Sequence, residues 1–368
     1  MRVPWAAAIL FASAARAAAQ EPAPVYQPEH KYSFAFKVDA LFREEWTRDI
    51  FVSATQFRDE DRFRGRVRPR IEIGLDKLVV GVGGDFNYSS DVNFDEAAPP
   101  PLLRDNYDSR DARLDLAYAS LKPASWLQIE GGRFEMPVAF TEMIWDKDLR
   151  LQGGALVFET RDHGALKRFA VTGLYARGSH MFEDETNIYV ASLEAEFGLG
   201  ETSRLQLIPS YVEFTNTGSL APFIRRQNTR VAGVIVNDYR VLDGVVRFRH
   251  DGRVPLQLVA DFSNNTAVDD FGNGLWLAAV LGSLQSHRVR LDYTYAKVDK
   301  DATLGAYGTD DFFWVTGWEG HRGELGIRVV DHWTAHAVGQ VQRFKDSPRP
   351  EERDHWVKRF RVEVRVDY

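Results

Sequence analysis

Apolar and polar residues alternate along most of this chain with a period of two. From Tyr32 the even positions are Tyr32, Phe34, Phe36, Val38, Ala40 and Phe42, against Ser33, Ala35, Lys37, Asp39 and Leu41. The next segment is sharper: Phe63, Gly65, Val67, Pro69, Ile71 and Ile73 alternate with Arg62, Arg64, Arg66, Arg68, Arg70 and Glu72. At the C-terminus Phe360, Val362, Val364, Val366 and Tyr368 alternate with Arg359, Arg361, Glu363, Arg365 and Asp367. Successive side chains of a strand point to opposite faces, so each segment predicts a strand with one apolar and one charged face.

Segment length and loop rhythm narrow the architecture. Several segments approach the roughly 9 to 11 residues that a tilted strand needs to cross a bilayer. Seven short connections (near 75–77, 122–125, 160–167, 198–203, 250–253, 282–286 and 331–333) alternate with eight long ones (49–60, 89–110, 134–152, 177–186, 215–238, 264–273, 298–319 and 345–353). That rhythm predicts a transmembrane antiparallel up-and-down β-barrel of 16 strands, with short periplasmic turns, long external loops and both chain ends in the periplasm. The apolar stretch Arg230 to Val236 belongs to a loop, because counting it as a strand breaks the rhythm. Pro69 and Pro209 fall within strands, where a missing N–H predicts a local bulge.

Composition removes other classes. The 368 residues include no cysteine, which excludes disulfides, thiolate metal sites and a thiol nucleophile. Apolar stretches of about 20 residues, required of membrane helices, are missing. Residues 1–19 read as a signal peptide: Arg2, an apolar run from Val3 to Ala15, then Ala17-Ala18-Ala19 before Gln20. The expected mature unit, 20–368, is therefore an exported barrel domain. A formal charge of −7, more negative once Arg2 and Arg16 are removed, argues against nucleic acid as a partner.

Membrane energetics assigns the faces. An Arg facing lipid at the bilayer midplane costs about 2–4 kcal/mol, so the five arginines from Arg62 to Arg70 are expected to face a wet interior. Sixteen strands enclose an aqueous channel rather than a packed core. Lys358 is the exception on the apolar face of the last strand, expected near the external rim.

Several motifs resemble the porins of Gram-negative outer membranes, and most closely the group called putative porins. These are Gly131-Gly132-Arg133-Phe134 with Pro137, Trp145-Asp146-Lys147-Asp148-Leu149 leading to Gly153-Gly154-Ala155, and Asp299-Lys300-Asp301-Ala302-Thr303-Leu304 ahead of Gly320-His321. The terminal aromatic Tyr368 resembles the signal by which outer-membrane barrels engage the barrel assembly machinery. The resemblance implies a homotrimer in the cell outer membrane, with the third external loop folded inward, conducting small hydrophilic solutes and ions by passive diffusion.

That third loop offers Glu135, Glu142, Asp146 and Asp148. With the arginine row on the opposite wall, it would form a constriction crossed by a transverse field. Two alternatives stay open: the arginines pair with neighbouring acids such as Asp39 and Asp85, or the row makes the channel anion-selective, for phosphate or organic acids.

No catalytic site, cofactor or metal is expected. His332 and His336 bracket a turn, and four residues of strand span about 13 Å, too far to share one zinc. A barrel enzyme with a composite Ser and His site, and a structural barrel with a plugged lumen, are the remaining alternatives. Gly81 to Gly84 lack the Lys-Ser/Thr of a phosphate loop and suit close approach to the wall. The acid groups Asp59, Glu60, Asp61 and Asp105, Asp108, Asp111 read as solvated loop charge, with calcium as the competing role. Trp276, Trp314, Trp318 and Trp356 suit an interfacial girdle.

Overall fold

The structure is a computed structural model that describes residues 32–90, 112–179, 185–220, 227–309, 311–312 and 315–368. The signal segment, Trp314 and the group Asp105, Asp108, Asp111 lie outside the described residues. Sixteen strands form one closed antiparallel barrel. In chain order they are β1 Tyr32–Ser53, β2 Gln56–Leu75, β3 Leu78–Ser89, β4 Ala112–Ala124, β5 Leu127–Phe134, β6 Leu151–His163, β7 Leu166–Ser179, β8 Asn187–Gly198, β9 Ser203–Thr215, β12 Tyr239–His250, β13 Leu256–Asn265, β14 Asn273–Gly282, β15 Val289–Val298, β16 Trp318–Val330, β17 Trp333–Arg343 and β18 Trp356–Asp367. A separate two-stranded hairpin, β10 Arg230–Val231 with β11 Val234–Ile235, sits in the fifth external loop. The stretch predicted to stay out of the wall does so.

Closure follows from the absence of water in the bilayer, where an unpaired strand edge leaves backbone groups unsatisfied. β18 pairs with β1 from Asp39↔Asp367 to Arg48↔Lys358. Beyond the ladder, Val38 N–H donates to the Tyr368 carbonyl and Tyr368 N–H to the Val38 carbonyl, both at 2.7 Å. The last residue thus completes the ring.

Alternation becomes two surfaces. Phe34, Phe36, Ile71, Ile73, Val80, Val82, Leu156, Phe158, Leu277, Leu325, Phe360 and Val362 stand exposed on the outer face. Arg62, Arg64, Arg66, Arg359, Arg361 and Glu363 are buried on the inner one. The outward Lys358 pairs with Asp49 at 2.8 Å near the external end of its strand.

Three local expectations are corrected. Residues 49–60 are not a long loop: β1 and β2 continue to a two-residue turn at Ala54–Thr55, the irregularity being absorbed where the register shifts between Thr47 and Ile50 and Asp49 takes a φ of 61°. Neither proline is bulged. The β8–β9 ladder lapses at Ile208 and Pro209 and resumes in the same register, because a missing N–H deletes a bond without requiring an extra residue. The β2–β3 ladder lapses likewise at Arg68 and Pro69; the shift lies on the far side of β3, between Gly83 and Gly84. Trp276 and Trp318 do not belong to a girdle. Both are buried on the inner face, while the outer aromatic rim holds Trp356 with His321 and Tyr293, and Trp46 stacked on Phe360.

Gly81 fills the close-approach role expected of it, since a Cβ there would overlap the Tyr118 ring on the neighbouring strand.

Leu277→Arg places a guanidinium on the outer face of β14. It is expected to lower the folding free energy by about 2–4 kcal/mol, read from urea titration of the barrel in lipid vesicles.

Candidate functional site

Loop 3, residues 135–150 between β5 and β6, makes its contacts with inward-facing positions of the wall. Gly132, with a φ of 114°, turns β5 just before the loop. The Thr141 hydroxyl donates to Asp261 on β13, and the Arg247 guanidinium on β12 reaches the Ala139 carbonyl at 3.4 Å. Val138, Met143, Ile144, Trp145 and Leu149 are buried in one apolar cluster with wall residues Ile188, Val190, Ile208, Val212 and Val241. An apolar loop core inside a hydrophilic barrel explains why these inward-facing strand positions are Val and Ile rather than charged.

Loop 7, residues 299–317, joins the same cluster. Tyr307 stacks on Trp145 of loop 3 at 5.3 Å and on Phe214 of β9 at 5.3 Å. Two backbone bonds stitch the loops together: Asp146 N–H to the Tyr307 carbonyl at 2.7 Å and Thr309 N–H to the Glu142 carbonyl at 2.8 Å. Loop 5 is tied on through Asp301, whose carboxylate accepts from Thr229 N–H (2.9 Å), Thr229 Oγ1 (2.5 Å), Asn237 (3.0 Å) and Tyr239 (2.9 Å). The Asp299–Leu304 motif is therefore an inter-loop clasp.

The charged residues form a continuous ladder. Asp148 accepts Arg66 at 2.6 Å and Arg68 at 3.3 Å, and Arg68 also holds Asp39 at 3.0 Å. Arg70 binds Glu135, Arg62 binds Glu45 at 2.5 Å, and Arg150 binds Asp115 at 3.2 Å. Arg64 is buried beside Glu45. Glu142 bridges Lys147 at 3.1 Å and Arg322 of β16 at 3.2 Å. Asp146 is buried and accepts Asp148 N–H at 2.8 Å, which shapes the turn rather than presenting charge to a solute.

This corrects the expected geometry. The loop acids Glu135 and Asp148 are in direct contact with the arginine row and do not face it across a gap. Their ion pairs neutralise both partners locally. The reading in which the arginines take neighbouring acids is met in part, through Asp39 and Glu45.

Sequence reasoning missed the centre of the network. Asp311 of loop 7, almost fully buried, accepts Arg43 of β1 at 3.0 Å and Arg361 of β18 at 3.0 Å, with Lys147 at 3.4 Å and Arg322 at 3.7 Å. Burial alone would raise its carboxyl, but Arg361, Lys147, Arg43 and Arg322 outweigh burial and hold it well below the ordinary carboxylate range. Glu142 chiefly raises Lys147 in turn. The available signal was the aromatic Phe312 and Tyr307 in a long loop, which marks a loop that packs.

The His336 ring bonds Glu324 at 2.7 Å and Thr334 at 2.8 Å on the inner wall, and His332 lies in the β16–β17 turn with a φ of 70°. Among the described residues no cluster of three or more His, Asp or Glu could hold a metal. In the first acid group, Asp59 and Asp61 pair with Arg48, and Glu60 with Arg58.

A closed 16-strand barrel with an apolar belt outside and charged residues inside defines a channel-forming protein of the outer membrane. The chain belongs to the porin family described as "Putative porin", which it matches over residues 47–232. No curated protein matches its sequence. Among solved structures it resembles OprB of Pseudomonas putida (12% identity, TM-score 0.58, covering 91% of this chain and 94% of that one) and Salmonella typhi OmpF (14%, 0.54, 91% and 97%). A loop-deletion form of OmpT from Vibrio cholerae is also similar (10%, 0.52, 92% and 100%). At these identities the likeness concerns the fold. The family assignment makes the chain an outer-membrane channel for small solutes.

Two outcomes follow from Asp311. Asp311→Asn leaves a cluster of buried cations short of an anion and is expected to destabilise the barrel by about 3–5 kcal/mol, read by urea titration with circular dichroism. Because the folded carboxyl is depressed, its contribution is full above the unfolded-state value and is lost only as pH falls through the folded one. Single-channel conductance should accordingly hold steady from neutral to mildly acidic pH and become noisy only in strongly acidic buffer.

Proposed function

We propose that the chain is exported by residues 1–19, assembles as a homotrimer through the barrel assembly machinery acting on the strand that ends at Tyr368, and conducts small hydrophilic solutes passively. The narrowest section is formed by loops 3 and 7, where Asp148 pairs with Arg66 and Arg68, Glu135 with Arg70, and Glu142 with Lys147 and Arg322. Transport involves no covalent step and no cofactor. The observation that carries this reading is the direct pairing of Asp148 with Arg66 and Arg68, and of Glu135 with Arg70.

That pairing has a consequence for selectivity. Charges in contact cancel over distances longer than their separation, so a passing ion meets a nearly neutral polar wall. Size and polarity then select, and the sign of charge matters little. Glu135 and Lys147, each between a third and a half exposed, present the most accessible opposite charges of loop 3 in this section.

The test is the reversal potential of the refolded, signal-free protein in a planar bilayer under a salt gradient. Wild type is expected to pass cations and anions with a permeability ratio within a few-fold of one. E135Q combined with D148N uncovers the arginine row and is expected to shift the potential toward anions. Strong anion preference in wild type would favour phosphate or organic acids as solutes. Failure of a correctly folded barrel to conduct would overturn the channel mechanism proposed here.

A further inference from the structure

Buried carboxylates of the described interior are met by cations or by several donors. Glu45, Asp115, Asp148, Glu194 and Asp311 face guanidiniums, and Asp301 collects four neutral donors. Asp243 of β12 and Asp261 of β13 depart from this pattern. They are 5% and 1% exposed, and their carboxyl groups lie within hydrogen-bonding reach of each other. Neither forms an ion pair with Lys or Arg among the described residues. Asp261 has one donor, the Thr141 hydroxyl of loop 3. Its other oxygen, Oδ1, and both oxygens of Asp243 have none. Arg247, four residues further along the same face of β12, is spent on Gln206 at 2.6 Å and the Ala139 carbonyl at 3.4 Å. Two carboxylates side by side out of water repel strongly unless something positive lies between them.

The surroundings supply more oxygen. Register sets a serine on each side of Asp243, Ser210 of β9 and Ser263 of β13. Both are buried, and neither donates to a carboxylate. Ser210 Oγ bonds Ser192 at 2.8 Å, and Ser263 Oγ lies 3.8 Å from the Met143 sulfur of loop 3, a weak acceptor. A hydroxyl beside two carboxylates ordinarily gives its hydrogen to one of them. Here both hydrogens go elsewhere, and the hydroxyl oxygens remain available as ligands.

We propose that Asp243 and Asp261, with Ser210 and Ser263, hold a calcium ion that fastens loop 3 to the β12–β13 wall through Thr141. Carboxylate and hydroxyl oxygens are the ligand set of a hard cation. A divalent ion balances both charges and draws on all three bare oxygens. A shared proton, the competing occupant, joins one oxygen of each acid and leaves the second Asp243 oxygen without a partner. Calcium tolerates irregular oxygen sets and sheds its water readily, which suits a site closed over by loop 3 better than magnesium, which keeps several waters. Asp243 is four residues from Tyr239 at the external end of β12, so the ion is drawn from the outer medium. The site depends on how loop 3 packs and not on the charge selectivity of the pore.

Terbium takes calcium's oxygen ligands and luminesces when a nearby tryptophan is excited. Trp276 of β14 is the register partner of Asp261, so the ion reports its own position. The full mature chain, refolded in detergent and treated with chelator, is expected to give a saturable terbium signal that calcium displaces. D243N and D261N are each expected to weaken calcium binding, read by calorimetry, about tenfold or more. S263A, which removes a ligand and no charge, should weaken it less. W276F should dim the luminescence and leave the calorimetric calcium affinity unchanged. Calcium binding that survives in D243N/D261N, or that is lost in D59N/D61N at the external acid group, would be adventitious and would overturn the site. No calcium binding by the folded wild-type chain would overturn it as well, and would assign the pair a shared proton. Neither readout requires conduction, so a barrel that binds calcium at these residues and passes no current would overturn the channel mechanism and leave the site standing.

Discussion

Everything in this molecule depends on keeping charge away from hydrocarbon. The wall separates a medium that cannot solvate ions from one that can, and a strand has two faces. Charged residues therefore collect on the inner side of β1, β2 and β18 at high density. Crowding them there creates a second problem, since like charges at close quarters repel. Acids from the wall and from two loops are threaded between the guanidiniums, so that Asp148, Glu45, Glu363 and Asp311 each meet more than one cation. The loops are held by the same interactions that make the inner wall tolerable.

The loops are consequently part of the interior. Apolar side chains of loops 3 and 7 find matching Val and Ile positions on β8, β9 and β12, while their acids find arginines on the opposite strands. One loop segment thus reads two kinds of wall, apolar on one side and cationic on the other, which fixes its orientation. The Asp301 clasp then joins loop 5 to loop 7 without using the wall alone.

The architecture was legible in the residues because period-2 alternation is local and extends over complete strands: the dyads from Arg62 to Ile73 and from Arg359 to Tyr368 need no partner to be recognised. The site was legible only as a list. Which arginine meets which acid depends on how far loop 3 reaches, and no periodic signal encodes that. Asp311 illustrates the limit, being one acid of an ordinary-looking loop until four cations from β1, β16, β18 and loop 3 converge on it. Tryptophan was ambiguous for a related reason. Its ring suits a membrane interface and a loop core equally, and Trp276 and Trp318 lie in the second.

The mutual backbone bonds of Val38 and Tyr368 also set an order of events. They join positions 330 residues apart in the chain, and bringing such positions together costs roughly 5 kcal/mol of loop-closure entropy. That contact cannot nucleate folding. Hairpins between sequence neighbours form first, and until the final strand arrives the growing sheet carries two open edges, each able to recruit another chain. The chain is most vulnerable in the interval between translocation and the arrival of its last residue.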